Sequence, residues 1–144
     1  MSKLSIVVSY PDIKGFWEYI GPVIANRKYI QEIGGNIYQE EGEVWFLGFD
    51  IETELFVGFC VLSIDKKTAH LKHDFILPEF RGKGFYSELY QNRLNWIKEK
   101  YSELTIKTVI YDDKSIHLAI KNSLTLSSQK GRYLVYTRGV NENI

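Results

Sequence analysis

The stretch Ile76-Leu77-Pro78-Glu79-Phe80-Arg81-Gly82-Lys83-Gly84-Phe85-Tyr86-Ser87 decides how the rest of the chain is read. Residues 68–77, which lead into it, have the β-branched and aromatic content of a strand. Beyond it, Tyr86, Leu89, Tyr90, Leu94, Ile97 and Tyr101 mark one face of a helix over 83–100, with Glu88, Gln91, Asn95 and Lys98 largely on the other. A strand that ends in a Gly-x-Gly turn and opens directly into a helix gathers backbone N–H groups at the positive end of a helix dipole, a cradle for an anion. Each charge-assisted hydrogen bond there contributes roughly 1.5 to 3 kcal/mol, against about 1 kcal/mol from the dipole, so the amides dominate. Gly82 and Gly84 keep side chains out of the ligand's way, and Arg81 and Lys83 add local positive charge. Locally, an ordinary strand-to-helix turn with glycines for tightness reads the same way.

Working outward, residues 4–9 read as a first strand. Pro11 and Asp12 then signal a helix start, and Ile13, Trp17, Ile20, Ile24, Tyr29 and Ile33 recur at near-helical spacing up to Gly34 and Gly35, with Gly21 and Pro22 expected to split the run into two helices. Residues 43–51, 55–64 and 68–77 form three strand-like runs whose short connections imply antiparallel neighbours. After the long helix come a strand at 105–111, a short helix at 114–121, and a strand pair at 124–128 and 132–138 turning at Lys130 and Gly131. The order β-αα-βββ-α-β-α-ββ predicts an α/β (α+β) fold: one domain over residues 1–144 with a mixed, mostly antiparallel sheet and helices on both faces.

The bulk properties suit that reading. The 144 residues are 44% hydrophobic and 25% charged, enough to close one core without staples. The 18 Lys plus Arg offset 18 Asp plus Glu, so no global field draws the chain to nucleic acid or an anionic membrane, and neither is expected as a partner. The single cysteine, Cys60, cannot close an intrachain disulfide, which suits a reducing cytoplasm. No run approaches the ~20 apolar residues of a membrane span, and residues 4–8 are too short for a signal-peptide core, so a cytoplasmic location is expected.

Other glycine loops fail on spacing. A Walker A loop needs Gly, four residues, then Gly-Lys-Ser/Thr, and no such stretch occurs. The dinucleotide fingerprint needs a third glycine where Ser87 stands, within a parallel βαβ unit. The chain instead resembles the GNAT superfamily of acyl-CoA-dependent N-acetyltransferases over nearly its whole length. Arg81-Gly82-Lys83-Gly84-Phe85-Tyr86 is similar to that family's Gln/Arg-x-x-Gly-x-Gly/Ala signature, and Ile76, Pro78 and Phe80 match the positions before it. The resemblance implies acetyl-CoA as co-substrate, no metal, its pyrophosphate on the amides of Gly82, Lys83, Gly84, Phe85, Tyr86 and Ser87 beside Arg81, and pantetheine pairing like a strand with Asp74, Phe75 and Ile76. The departure is Tyr86 at the sixth position, where a Cβ is tolerated because the residue is already helical.

Family chemistry is attack of a neutral amine on the thioester. A lysine-like amine of pKa ~10.4 costs about 4.6 kcal/mol to deprotonate at pH 7, an α-amino group near ~7.7 only about 1, so the need for a base depends on the acceptor. Residues 68–77 carry His70, Lys72, His73 and Asp74, a high density of polar groups for a central strand, and such groups must find partners or line a cavity. His70, eleven residues before Arg81, is similar in placement to a histidine of the arylalkylamine N-acetyltransferases; Lys72 occupies the second histidine's position. The plainer reading of His70 is a side chain solvated or paired at the sheet's wet end. His73 and Asp74 lie closer to the expected thioester but on opposite faces unless a bulge intervenes. The family's glutamate base on the next strand is replaced by Lys107, and its pantetheine asparagine and tyrosine acid align with Asp112 and Ala119. A thiol of pKa ~8.5 leaves as thiolate at a cost of only about 2 kcal/mol at pH 7, so the missing acid slows transfer without forbidding it. Tyr111 and Ser115 are the nearby hydroxyls, Tyr111 being the candidate acid or, in the plainer reading, a side chain packed at a strand end, and His117 is expected to face solvent.

The acceptor is expected to be a small-molecule or peptide amine recognised by residues 17–35 and the turn after Trp45, and the assembly a monomer or homodimer. Trp17, Tyr19, Tyr29, Tyr38 and Trp45 line a flat slot in one reading and fill the core in the other. The rival functions are a noncatalytic CoA-binding sensor, favoured by Lys107, Asp112 and Ala119, and a simple phosphate-anion site.

Overall fold

The computed structural model describes residues 2–33, 42–101, 103–110, 113–130 and 133–139. In them the chain runs β1 (Leu4–Ser9), α1 (Phe16–Ile24), α2 (Arg27–Ile33), β2 (Glu43–Asp50), β3 (Phe56–Asp65), β4 (Thr68–Ile76), a single 3-10 turn (Pro78–Phe80), α3 (Phe85–Lys100), β5 (Thr105–Ile110), α4 (Asp113–Lys121), β6 (Thr125–Lys130) and β7 (Tyr133–Gly139). The expected order therefore holds, with one short turn of helix inserted before the glycines. The strands form one sheet in the order β1-β2-β3-β4-β5-β7-β6, and every pairing is antiparallel except β4 with β5.

Two apolar layers hold the sheet. On one face Leu89, Tyr90, Leu94 and Ile97 of α3 and Leu118 and Ala119 of α4 pack with Phe46, Leu62, Leu71, Ile106 and Tyr136 from five strands. On the other, Phe16, Ile20 and Val23 of α1 and Ile33 of α2 pack on Trp45, Leu47, Phe59, Val61 and Phe75. The second layer draws its strand residues from β2, β3 and β4, so α1 and α2 cover one half of the sheet.

The first helical pair departs from expectation. Gly21 and Pro22 lie inside α1, and the break falls at Ala25 and Asn26, where the Asn26 side-chain oxygen accepts a hydrogen bond from Tyr29 N at 3.2 Å and starts α2. Burial of Phe16, Ile20 and Val23 on one stripe outweighs the donor that Pro22 removes. Pro11 and Asp12 begin a turn rather than a helix: Trp17 Nε1 donates to Pro11 O at 3.0 Å, and α1 starts only after Gly15. Trp17 is 44% exposed and Trp45 only 1%, so Trp45 belongs to the core, edge-on to Phe16. Tyr19 packs on Phe49 and Phe56, and Tyr29 on Phe75. Tyr38, Gly34, Gly35 and Gly131 fall outside the described residues.

Candidate active site: a parted strand pair, a bulge and a glycine turn

β4 and β5 pair in parallel from Thr68↔Thr105 to Leu71↔Thr108, and there their register ends. Past it β4 continues along β3 to Ile76, while β5 continues along β7 to Ile110. The two central strands therefore part at their carboxyl ends, the position at which open α/β sheets hold ligands. Parallel strands cannot be joined by a tight turn; here the glycine turn and α3 make the crossover, so the turn lies next to the parting.

A β-bulge sits on the parted segment. Phe59 faces Phe75 and Val61 faces Lys72, so Cys60 alone opposes both His73 and Asp74. His73 has φ 55°, the left-handed region that a side chain disfavours. The extra residue resets the alternation. Asp74 turns its carboxylate toward α3 while Phe75 returns to the α1 and α2 face.

What holds the bulge is Arg93, a residue that the sequence reading did not single out. Its guanidinium is 0% exposed and donates to Val61 O at 2.9 Å, to Lys72 O at 3.5 Å, and to Asp74 Oδ1 and Oδ2 at 2.6 and 3.2 Å. Those two carbonyls belong to the paired rung next to the residues that the bulge pushes out of the ladder, so Arg93 ties both strands together where their register shifts. Tyr86 OH donates to Asp74 Oδ2 at 2.7 Å. Cys60, on the same face, is fully buried with its Sγ 3.8 Å from Leu89 O. Burial pushes its thiol up to about 12 against the opposing pull of the Arg93 charge, so it is packing rather than a nucleophile.

The glycine turn has the shape that the spacing implied. Gly82 and Gly84 have φ 78° and 86°, and Gly84 is the residue before α3, offering no side-chain cap to the helix's first turn. A methyl group built at Gly82 meets nothing within 4 Å, and residues 81–84 are exposed. The charges are arranged differently from expectation. Arg81 points back rather than outward: its Nε donates to Ile76 O at 2.8 Å, its Nη2 pairs with Glu32 of α2, and its guanidinium lies over the Phe75 ring. Lys83 Nζ lies over Phe80, and Lys3 Nζ, another cation that the sequence reading missed, donates to Lys83 O at 3.0 Å.

Glu88 ties the first strand to this turn. Its carboxylate accepts from Ser2 Oγ and from the backbone N of Lys3 and Leu4 at 2.6, 2.8 and 3.0 Å. Partial burial works to raise its pKa, but the hydrogen bonds from Ser2, Lys3 and Leu4 and the nearby amino terminus outweigh it and hold the group below the ordinary range. A depressed carboxylate stabilises the fold above its unfolded pKa and loses that contribution as pH falls through the folded value. The stability difference between wild type and Glu88→Gln is therefore expected to be constant near neutrality and to shrink below about pH 4.5, as urea titrations at several pH values would read; a difference unchanged down to pH 3 would contradict it.

The other expected site residues divide between the paired and the parted segments. His70 lies on the paired part of β4, between Ser63 of β3 and Lys107 of β5 in register, and Lys72 pairs with buried Glu43 at 2.9 Å. His73 lies at the bulge in the parted segment. His117 is exposed on α4, and Ala119 is buried against the sheet. Tyr111 and Asp112 fall outside the described residues. Among the described residues no three His, Cys, Asp or Glu side chains group as a metal site would require, and no helix is long and apolar enough to cross a membrane.

Residues 13–121 match the family model of the acetyltransferase (GNAT) family. No curated protein matches the chain in sequence. Among solved structures, the fold is similar to that of spermidine N-acetyltransferase from Vibrio cholerae in complex with CoA and spermine, with TM-score 0.74 and 16% identity over 95% of this chain and 94% of that one. It is also similar to PaiA N-acetyltransferase from Thermoplasma acidophilum in complex with coenzyme A, at TM-score 0.67 and 17% identity over 94% and 99% of the two chains. A GNAT family acetyltransferase from Elizabethkingia anophelis with acetyl-CoA bound gives 0.65 and 13% over 96% and 99%. At these identities the likeness is one of fold.

Proposed function

Because the chain belongs to the GNAT family of acetyltransferases, we propose that it transfers an acetyl group from acetyl-CoA directly to an amine, acting as one cytoplasmic domain over residues 1–144. The observation that carries this reading is the left-handed pair Gly82 and Gly84 opening α3 beside the parted end of β4. The amides of residues 82–87 hold the pyrophosphate, and the β4 edge at Asp74, Phe75 and Ile76 pairs with pantetheine, which lays the thioester along the bulge. A neutral amine attacks the thioester carbonyl; the C–N bond forms, the C–S bond breaks, and the sulfur leaves as thiolate or takes up the amine's proton. Direct transfer is favoured over an acyl-enzyme because the chain's one cysteine is buried with its pKa near 12. His73 is the base of choice over His70, because the wedge opens only beyond Leu71. Tyr111 keeps its proposed role as acid, and Asp112 its place beside pantetheine.

The acceptor is a small-molecule or peptide amine, and polyamines belong in the first panel because one structural relative is named for spermidine. The test measures acetyl-CoA binding, then thiol release from acetyl-CoA with that panel across pH. Release above the amine-free background is expected, with His73→Ala slowing a lysine-like amine more than a weakly basic one, since deprotonating the former costs a few kcal/mol more at pH 7. Binding without release for any amine would replace this reading with a CoA sensor, and binding of pyrophosphate with nothing gained from pantetheine would reduce it to an anion site.

A further inference from the structure

The two halves of the cofactor cradle stand on different elements: the amides that take phosphate belong to the turn and α3, and the edge that takes pantetheine belongs to β4. Between them the chain runs through the 3-10 turn and the exposed residues 81–84. The direct link is made by side chains. Tyr86, in the first turn of α3, donates to Asp74 Oδ2; Asp74 is held by both Nη atoms of Arg93; and Arg93 donates to Val61 O and Lys72 O, the paired rung at which the bulge begins. His73, with φ 55°, sits inside this frame, and a side chain persists in that conformation only where its surroundings over-determine it.

We propose that Tyr86, Asp74 and Arg93 form a strut that fixes the bulged edge of β4 relative to the phosphate-holding turn, which makes Tyr86 and Asp74 positioning residues for the pantetheine arm. The inference rests on the coenzyme A reading above and adds a role for the residue that departs from the family signature. A glycine or alanine at position 86 has no atom to reach Asp74, whereas the phenol spans from the helix to the strand. The hydroxyl is bonded to a carboxylate already engaged by a buried guanidinium. Removing it therefore takes away one of three donors and leaves the Asp74–Arg93 ion pair intact.

The experiment compares two ligands on three proteins. Coenzyme A and 3′-phospho-ADP, which lacks the pantetheine arm, are titrated calorimetrically against wild type, Tyr86→Phe and Asp74→Asn, with near-ultraviolet circular dichroism to show that each variant is folded. In wild type coenzyme A should bind more tightly than the fragment. Tyr86→Phe should keep its affinity for the fragment within about twofold and lose about tenfold for coenzyme A, the loss of one charge-assisted hydrogen bond; Asp74→Asn should lose at least as much in the same ratio. A merely structural hydroxyl would lower the melting temperature and weaken both ligands in parallel, and that result, or an unchanged ratio in Tyr86→Phe, overturns the strut. Equal affinities of wild type for the two ligands would overturn the pantetheine reading itself, and the strut with it, so the two failures are distinguishable.

Discussion

Gly84→Pro should abolish the thermal stabilisation that acetyl-CoA confers on wild type. Ligand at one hundred times its dissociation constant stabilises the native state by about 2.7 kcal/mol, which for a domain of this size raises the melting temperature by roughly 5 to 10 °C. The backbone of Gly84 stands at φ 86°, while proline holds φ near −65° and has no N–H. The substitution therefore turns the start of α3 and deletes one amide at a stroke. Gly82→Pro, at φ 78°, should act alike by the same change of φ and loss of an amide. Differential scanning fluorimetry with and without millimolar acetyl-CoA reads the effect, and circular dichroism of the unliganded variants shows that they fold. A wild type whose melting temperature ignores acetyl-CoA would remove the basis of the cofactor assignment, and a full shift in Gly84→Pro would remove the amides from it.

Arg93→Met should destabilise the fold by about 3 to 5 kcal/mol, because it strips the partly buried Asp74 carboxylate of its counter-charge and takes a donor from two carbonyls beside the bulge. The double variant Arg93→Met with Asp74→Leu should recover a large part of the loss, since a buried ion pair replaced on both sides by apolar groups is often close to neutral. Urea denaturation separates the cases through the midpoint at constant slope. If Arg93→Met loses less than about 1 kcal/mol, the bulge does not depend on the guanidinium.

Apolar runs between short polar turns carried the sheet and periodicity carried the long helix: residues 43–50 and 56–65 are buried on both faces and read as near-continuous hydrophobic stretches, while residues 85–100 cover one core and show its 3.6-residue stripe. The bulge was legible only as a question. A period-2 pattern has no way to mark where one residue of a strand is passed over by its neighbour, so whether His73 and Asp74 shared a face depended on a register that only the pairing of β3 with β4 supplies. Arg93 did leave a signal that went unused: it sits between Leu89 and Tyr90 on one side and Leu94 and Ile97 on the other, in the middle of an apolar stripe where a charge must have a buried partner. The direction of Arg81 left none, since its partner Glu32 is 49 residues away. Pro22 misled because local propensity was weighed against nothing, while in the folded chain three buried neighbours on α1 decide the matter.

The four-rung ladder between Thr68–Leu71 and Thr105–Thr108 has a consequence for folding as well. On one side of it β2, β3 and β4 form a nearest-neighbour meander closed by short turns and covered on both faces, with β1 added at its edge across the first helical pair. On the other, β5, β7 and β6 join late in the chain, fastened along this seam and through the α3 and α4 layer. Local pairings of low sequence separation form early and open last. The first half is thus expected to be the slow-exchanging unit and the second the one that comes away in sub-global opening, as hydrogen exchange would read, so that the seam where the ligand is taken to enter would also be the line along which the molecule first comes apart.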